Sequence, residues 1–216
     1  GGAGNVALNL AALGAKTFLL GRVGDDISGK GILATLQEEG VECSAIFPEE
    51  GYTTPVKNRL LAAGQQMLRI DHEVITPVAS TLEEQIITAL STMVTVLDAI
   101  ALSDYGKGLL TPSLLKAIIE LAHDHEIPVL VDPHGDHYEK YQGCHLLKPN
   151  QKEAYQALQH AATVSLDDVA SDLIEQTSCE HLLITRAAEG MTLYTGGGGR
   201  SDFATDVLDV TDVTGA

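Results

Sequence analysis

Both ends of the 216-residue chain carry residues suited to handling an anion. Asp212-Val213-Thr214-Gly215-Ala216 follows an apolar run from Phe203 to Leu208 that is broken by Thr205 and Asp206. A Thr-Gly-small turn leading into a helix lets backbone N–H groups converge where the helix dipole also favours negative charge. Gly215 would permit that convergence at a phosphate or a developing oxyanion. Alone, such a tripeptide is more often a plain glycine turn. At the other end, Gly1-Gly2-Ala3-Gly4-Asn5 reads as a glycine-rich loop feeding an apolar helix, Val6 to Leu13. Glycine lets the backbone come close to a ligand, and Asn5 offers a donor and an acceptor to sugar hydroxyls. A dinucleotide-binding loop fits poorly, because no strand is visible ahead of it and the G-x-G-x-x-G spacing is absent.

Between the ends, cations gather at loops and strand ends: Lys57, Arg59, Arg69, Lys107, Lys148 and Arg186. Residues 52–61 and 65–71 are extended runs around Ala62-Ala63-Gly64 and predict a hairpin. Lys57 and Arg59 share a face by the period of two, so both can meet one phosphate. Charges that merely keep an edge strand from aggregating would look the same. The recurrence of Arg69 and Asp71 in the partner strand favours the binding reading.

The elements that position these groups alternate. Helices are predicted from Ser28 to Glu39, from the capping box at Thr81-Leu82-Glu83-Glu84 to Val96, from Thr111-Pro112 to His123, and from Ser165 to Gln176. A second capping box joins Asn150 to Glu153. Strands are predicted at 17–20, 99–102, 128–131, 145–147 and 181–184, with a closing hairpin of 191–194 and 203–208 around the turn Gly196 to Gly199. The fold class is therefore α/β, with a mostly parallel central sheet covered by helices. Ligands of such sheets sit beyond the carboxyl ends of the strands, where Asp104, Asp132, Asn150 and Thr185 fall. An isolated aspartate there is usually a turn former, but four polar endings on one rim point to a site.

Composition narrows the class. Hydrophobic content of 44% with 20% charged residues is that of a globular protein. The formal net charge of −17 argues against nucleic acid and anionic membranes as partners, and no apolar stretch is long enough to span a bilayer. Cys43, Cys144 and Cys179 have no C-x-x-C spacing and read as buried thiols of a reduced, cytoplasmic protein. Among the histidines, His123, His125, His134, His137 and His145 match no zinc spacing, so the sequence gives little support to a histidine metal site.

The two ends taken together resemble the ribokinase-like (PfkB) carbohydrate kinases. Gly1-Gly2-Ala3-Gly4-Asn5-Val6-Ala7, then Gly14 and Gly24, is similar to their first signature, and Asp212-Val213-Thr214-Gly215-Ala216 to the start of their second, D-x-T-G-A-G-D. Lys57-Asn58-Arg59-Leu60-Leu61, residues 65–71, 102–108 and 182–191 resemble, within that family, the heptose 7-phosphate kinases. The resemblance implies a three-layer α/β/α sandwich with a small β lid at 52–71. It further implies that residues 1–216 are an incomplete kinase domain, inactive alone, with the catalytic aspartate after Ala216. His134 stands where the pattern Asp-Pro-Lys-Gly has lysine. The implied reaction is transfer of the γ-phosphoryl of ATP, with Mg²⁺, to O1 of D-glycero-D-manno-heptose 7-phosphate, in ADP-heptose synthesis for lipopolysaccharide core. Gly1, Gly2 and Asn5 would hold sugar hydroxyls; Lys57, Arg59 and Arg69 would grip the 7-phosphate, with Asp71, Asp104 and Lys107 nearby. Asn150, Glu153, Thr185, Arg186, Gly190 and Thr214 would line the ATP side, with Mg²⁺ near Asn150 and Glu153, and Gly215 and Ala216 would form the anion hole. A lid hairpin paired with its copy implies a homodimer. Kinases of ribose, fructose or a nucleoside, or a non-catalytic nucleotide-binding module, are the alternatives.

Overall fold

The computed structural model describes residues 2–62 and 65–205, with Gln66 described by its backbone alone. The chain divides into two compact units, Gly1–Asp98 with Ser103–Glu126, and Ala99–Leu102 with Ile127–Ala216.

The first unit opens with α1 (Gly2–Ala12), so the stretch expected to be a glycine-rich loop is instead the start of a helix. Ala3, Ala7, Leu8, Ala11 and Ala12 are strong helix formers, and glycine costs least in a first turn whose N–H groups have no helical partner anyway. β1 (Phe18–Gly24), α2 (Ile27–Glu38) and β2 (Glu42–Glu49) follow, with β1 and β2 pairing parallel. The sequence pattern assigned no strand at β2, because Pro48 near its end weakens the signal. Its Cys43 and Ile46 nevertheless join Ala7, Val23, Leu36 and Val41 in one buried cluster.

β3 (Val56–Ala62) and β4 (Gln65–His72) form the expected hairpin, a two-stranded sheet whose strands, among the described residues, pair only with each other. α3 (Ser80–Met93) begins one residue ahead of the expected capping box, and Ala79 caps it without a side-chain bond. Thr81 thus lies inside the helix, and the Glu83 carboxylate accepts from the hydroxyls of Thr111 and Ser113 instead. Those hydroxyls flank the start of α4 (Pro112–Asp124), where Thr111 is the N-cap and accepts from Leu114 N–H at 3.2 Å.

The second unit is built on a six-stranded sheet, β5 (Ile100–Ser103), β6 (Val129–Asp132), β7 (Leu146–Leu147), β8 (His181–Thr185), β9 (Met191–Thr195) and β10 (Arg200–Phe203), side by side in that order. β6, β7 and β8 are parallel, and β9 and β10 close the sheet antiparallel. Among the described residues the last strand overlaps the expected 203–208 only at Phe203, and residues 206–208 lie outside them. Its polar Arg200 and Asp202 gave no hydrophobic alternation, yet the Thr192 hydroxyl donates to Asp202 at 2.7 Å across the pair. α5 (Gln151–Ala157) and α6 (Leu166–Thr177) begin at the expected caps, Asn150 and Ser165. Leu147, Leu182, Ile184 and Leu173 are fully buried, as is the aromatic pair Tyr138 and Tyr141. All three cysteines are free and buried, as expected.

Candidate active site

In the first unit, the loop after β5 is held from several sides. Asp104 is buried, and its carboxylate accepts from Gly106 N–H at 2.8 Å in an Asx turn. Tyr105 lies against the first turn of α1 so closely that a side chain at Gly2 would run into its ring. This contact is what requires glycine there. Lys107 reaches the Glu73 carboxylate at 2.6 Å. Gly2, Asp104 and Lys107, chosen from the sequence as sugar-side residues, therefore belong to one connected cluster, while Asn5 is exposed on α1.

Arg22 was not singled out in the sequence, where the expected strand stops at residue 20; the structure carries β1 through Arg22 to Gly24. Its side chain is 2% exposed, and it bonds the Glu49 carboxylate at 2.8 Å, the Lys107 carbonyl at 3.1 Å and the Thr76 carbonyl. Its guanidinium also lies 4.0 Å from the centre of the Tyr52 ring. One buried arginine thus ties β1 to the end of β2, to the segment after the hairpin and to the loop after β5. Asp26 acts on the near side of the hairpin. It caps α2 through Gly29 N–H at 2.7 Å and accepts from Thr54 N–H at 2.8 Å, and these two bonds hold its carboxyl below the usual carboxylate range.

On the hairpin, Lys57 stands opposite Asp71, and Arg59 opposite Arg69. Asp71 bonds Arg69 at 3.0 Å and reaches Lys57 at 3.5 Å. Desolvation works to raise the Asp71 carboxyl, but Arg69 and Lys57 together outweigh it and lower it. Strands β3 and β4 hold three cations against that single carboxylate, on a chain whose net charge is −17. Two like charges directly opposite each other cost stability unless an anion comes between them.

In the second unit, an open cleft of about 1180 Å³ is lined by Asn150, Thr185, Arg186 and Gly190, with Lys152 and Tyr155 among its other walls. Asn150 bridges to Thr185 in parallel fashion, which carries the sheet one step past β7. The capping box is complete: the Asn150 side chain accepts from Glu153 N–H at 2.9 Å, and Glu153 Oε2 accepts from Asn150 N–H at 2.8 Å. One oxygen of Glu153 is thereby committed to the helix start. Arg186 bonds Glu189, donates to the Thr192 hydroxyl at 3.2 Å and lies 3.5 Å from Asp202, so its charge is already matched locally. It braces the turn into β9. At the end of that turn, Gly190 has φ +87°, and a side chain there would meet the Phe203 carbonyl. Lys148 pairs with Asp132 at 2.9 Å. Tyr138 is fully buried beside these groups; burial first, then the charges of Glu153, Asp136 and Asp132, push its hydroxyl up.

The match to known proteins covers the whole chain. Residues 1–216 match the model of the pfkB family carbohydrate kinases. The chain belongs to that family. It is 42% identical over 220 residues to the Bifunctional protein HldE of Trichlorobacter lovleyi, covering 100% of this chain and 44% of the relative. It is 41% identical over 218 residues to the protein of the same name from Campylobacter jejuni, again covering 100% of this chain and 45% of the relative. The chain therefore spans less than half the length of these curated relatives. The structure of Arabidopsis thaliana ribokinase complexed with ribose and ATP superposes with a TM-score of 0.73 at 16% identity, over 94% of this chain and 65% of that one. The fold is ribokinase-like.

Membership makes this a domain of the carbohydrate kinases, a family of phosphotransferases. The residues expected on the ATP side mostly meet: Asn150, Thr185, Arg186 and Gly190 line one cleft, and Glu153 is bonded to the first of them. Lys57, Arg59, Arg69 and Asp71 meet on one hairpin. Gly1, Thr214, Gly215 and Ala216 lie outside the described residues. Among the described residues, no helix is long and apolar enough to cross a membrane.

Proposed function

We propose that the chain forms the part of a sugar kinase that directs phosphoryl transfer from ATP to O1 of D-glycero-D-manno-heptose 7-phosphate, giving the 1,7-bisphosphate for ADP-heptose synthesis. The observation that carries this reading is full-chain identity of 41–42% to proteins named HldE, together with the surplus of cations on the hairpin. A sugar already bearing a phosphate gives Arg59 and Arg69 an anion to share; an unphosphorylated sugar does not.

In this reading, Gly2 and Asn5 lie on the sugar side with Asp104 and Lys107. Arg22 and Glu73 are positioning residues that hold the Lys107 loop. Asn150, Thr185 and Gly190 shape the nucleotide cleft, and Arg186 keeps its wall rigid. Phosphoryl transfer asks mostly for positioning and charge stabilisation. The sugar O1 forms a bond to the γ-phosphorus as the bond to the β–γ bridging oxygen breaks. ADP leaves, and the hydroxyl proton passes to the aspartate that the family signature places after Ala216. The oxygen donors of Asn150, Glu153 and Asp132 are of the kind Mg²⁺ takes, and the ion supplies charge neutralisation on the phosphates when bound. The hairpin would close over the sugar and keep water out. The protein would work in the cytoplasm as a homodimer paired through the hairpins.

The test is an assay of the full-length protein with ATP, following O1 phosphorylation of heptose 7-phosphate by phosphorus NMR. Ribose, fructose, a nucleoside and unphosphorylated heptose serve as competitors. A higher kcat/KM on any of these would overturn the substrate and leave only the family.

A further inference from the structure

The sheet of the second unit brings His145 beside the consecutive residues Glu180 and His181, which lie far along the chain from it. His145 immediately precedes β7 and His181 opens β8, and these strands are parallel neighbours in the register Leu146 to His181. His181 N–H donates to the His145 carbonyl at 2.9 Å, and the two imidazoles meet edge to face with centroids 5.0 Å apart. Glu180 turns its carboxylate to the same place, 3.1 Å from His145 Nδ1. One ligand atom from each residue, two ring nitrogens and a carboxylate oxygen, lies within 4.8 Å of the others. Nδ1 of His181 is buried and has no hydrogen-bond partner among the described residues. A buried ring nitrogen without a partner needs a reason.

We propose that His145, Glu180 and His181 bind one divalent transition-metal ion of the zinc class. Tetrahedral zinc, with bonds of about 2.0–2.2 Å to nitrogen and oxygen, holds its donors about 3.3–3.5 Å apart. The His145–Glu180 pair is already near that spacing, and Glu180 is 69% exposed and free to adjust. Two imidazoles and a carboxylate suit zinc, cobalt, nickel or copper, whereas Mg²⁺ and Ca²⁺ take oxygen ligands. An ion pair with edge-to-face rings accounts for His145 and Glu180 but leaves the buried Nδ1 of His181 without a partner among the described residues. Ligation through that nitrogen would give it a partner.

Spacing along the chain could not show this site, because its histidines meet through strand register rather than within a loop. The site lies at the amino ends of β7 and β8. Thr185, on the nucleotide cleft, is at the other end of β8, about 13 Å along the strand. None of the three residues lines that cleft. The ion would therefore clasp two strands rather than take part in phosphoryl transfer.

The experiment is calorimetric titration of ZnCl₂ into the tag-free, metal-stripped full-length protein, with Co²⁺ absorption spectra as a report of geometry. The expected result is one tight equivalent and a tetrahedral cobalt spectrum. His145→Gln and Glu180→Gln, both at partly exposed side chains, should each raise the Kd about tenfold or more. Zinc should raise the thermal midpoint of the wild type and not of the double variant. Millimolar Mg²⁺ should not compete. Absence of zinc binding, an unchanged Kd in the double variant, or displacement by Mg²⁺ would each overturn the proposal. Should His181→Gln fail to fold, the other two positions decide it.

Discussion

The hairpin and the sheet of the second unit treat the same residue types in opposite ways. In the sheet, Leu147, Leu182 and Ile184 are 0% exposed; in the hairpin, Leu60, Leu68 and Ile70, which share a face, are 40–52% exposed. A two-stranded ribbon has no second layer of its own, and alternate residues must face solvent or a partner. Its other face carries Lys57, Arg59, Arg69 and Asp71. The sheet is buried within its own unit, whereas the hairpin is built as a surface with one apolar and one cationic face. Stability should therefore reside in the sheet, and recognition in the hairpin.

The largest expected effect tests the first half of that statement. Leu182→Ala empties a fully buried site and should cost about 2–5 kcal/mol of unfolding free energy, read as a lower urea midpoint at unchanged slope. Leu68→Ala on the hairpin should leave that midpoint nearly alone. Equal losses would show that the hairpin is packed into a core and would break the comparison. The apolar face has its own test: Leu68→Asp should dissociate the proposed dimer in sedimentation velocity while the monomer stays folded. A wild-type protein that is monomeric at all working concentrations would remove the dimer.

The next effect tests the cationic face. Arg59→Ala removes a charge-assisted contact worth about 2 kcal/mol, roughly thirtyfold in KM for heptose 7-phosphate. Because the 7-phosphate is remote from the transferred group, kcat should change little and the KM for ATP hardly at all. Lys57→Ala should cost less, since Lys57 already has Asp71 at 3.5 Å. If Arg59→Ala left KM unchanged, the phosphate would have to be held elsewhere.

Much of this was legible in the sequence where local chemistry decides structure. The cap at Thr111-Pro112, the box at Asn150 and Glu153, the hairpin and the alternation of strands depend on neighbours in the chain. The reading went astray where distant partners decide. Glu83 bonds Thr111 rather than closing its own helix, and the glycines at the amino end are helical because Ala7 is buried in the core of the first unit. Arg22 remained invisible because its partners lie 27 to 85 positions away. Arg186, expected on the ATP side, lines the cleft, but its place between Glu189 and Asp202, which also makes it a brace, left no trace in the local sequence.

The smallest expected effect separates two carboxylates that are lowered for different reasons. Asp26 is lowered by the N–H groups of Gly29 and Thr54, at the point where the chain enters the hairpin. Asp71 is lowered by Arg69 and Lys57 against the pull of desolvation, on the hairpin itself. A carboxyl lowered in the folded state stabilises the fold above its ordinary value of 3.8, and the contribution disappears as pH falls through the lower folded value. Asp26→Asn and Asp71→Asn should therefore both lie below the wild type in urea midpoint near neutral pH and approach it in acid. Salt should distinguish them. Exposed ion pairs are screened, so the Asp71 difference should shrink in high salt, while short hydrogen bonds to backbone N–H groups should keep most of the Asp26 difference. If the Asp26 difference were constant across pH, shape rather than charge would hold the hairpin's entry in place. If the Asp71 difference resisted salt, its pair would be sheltered, and the cationic face would be less open to solvent than its arginines indicate.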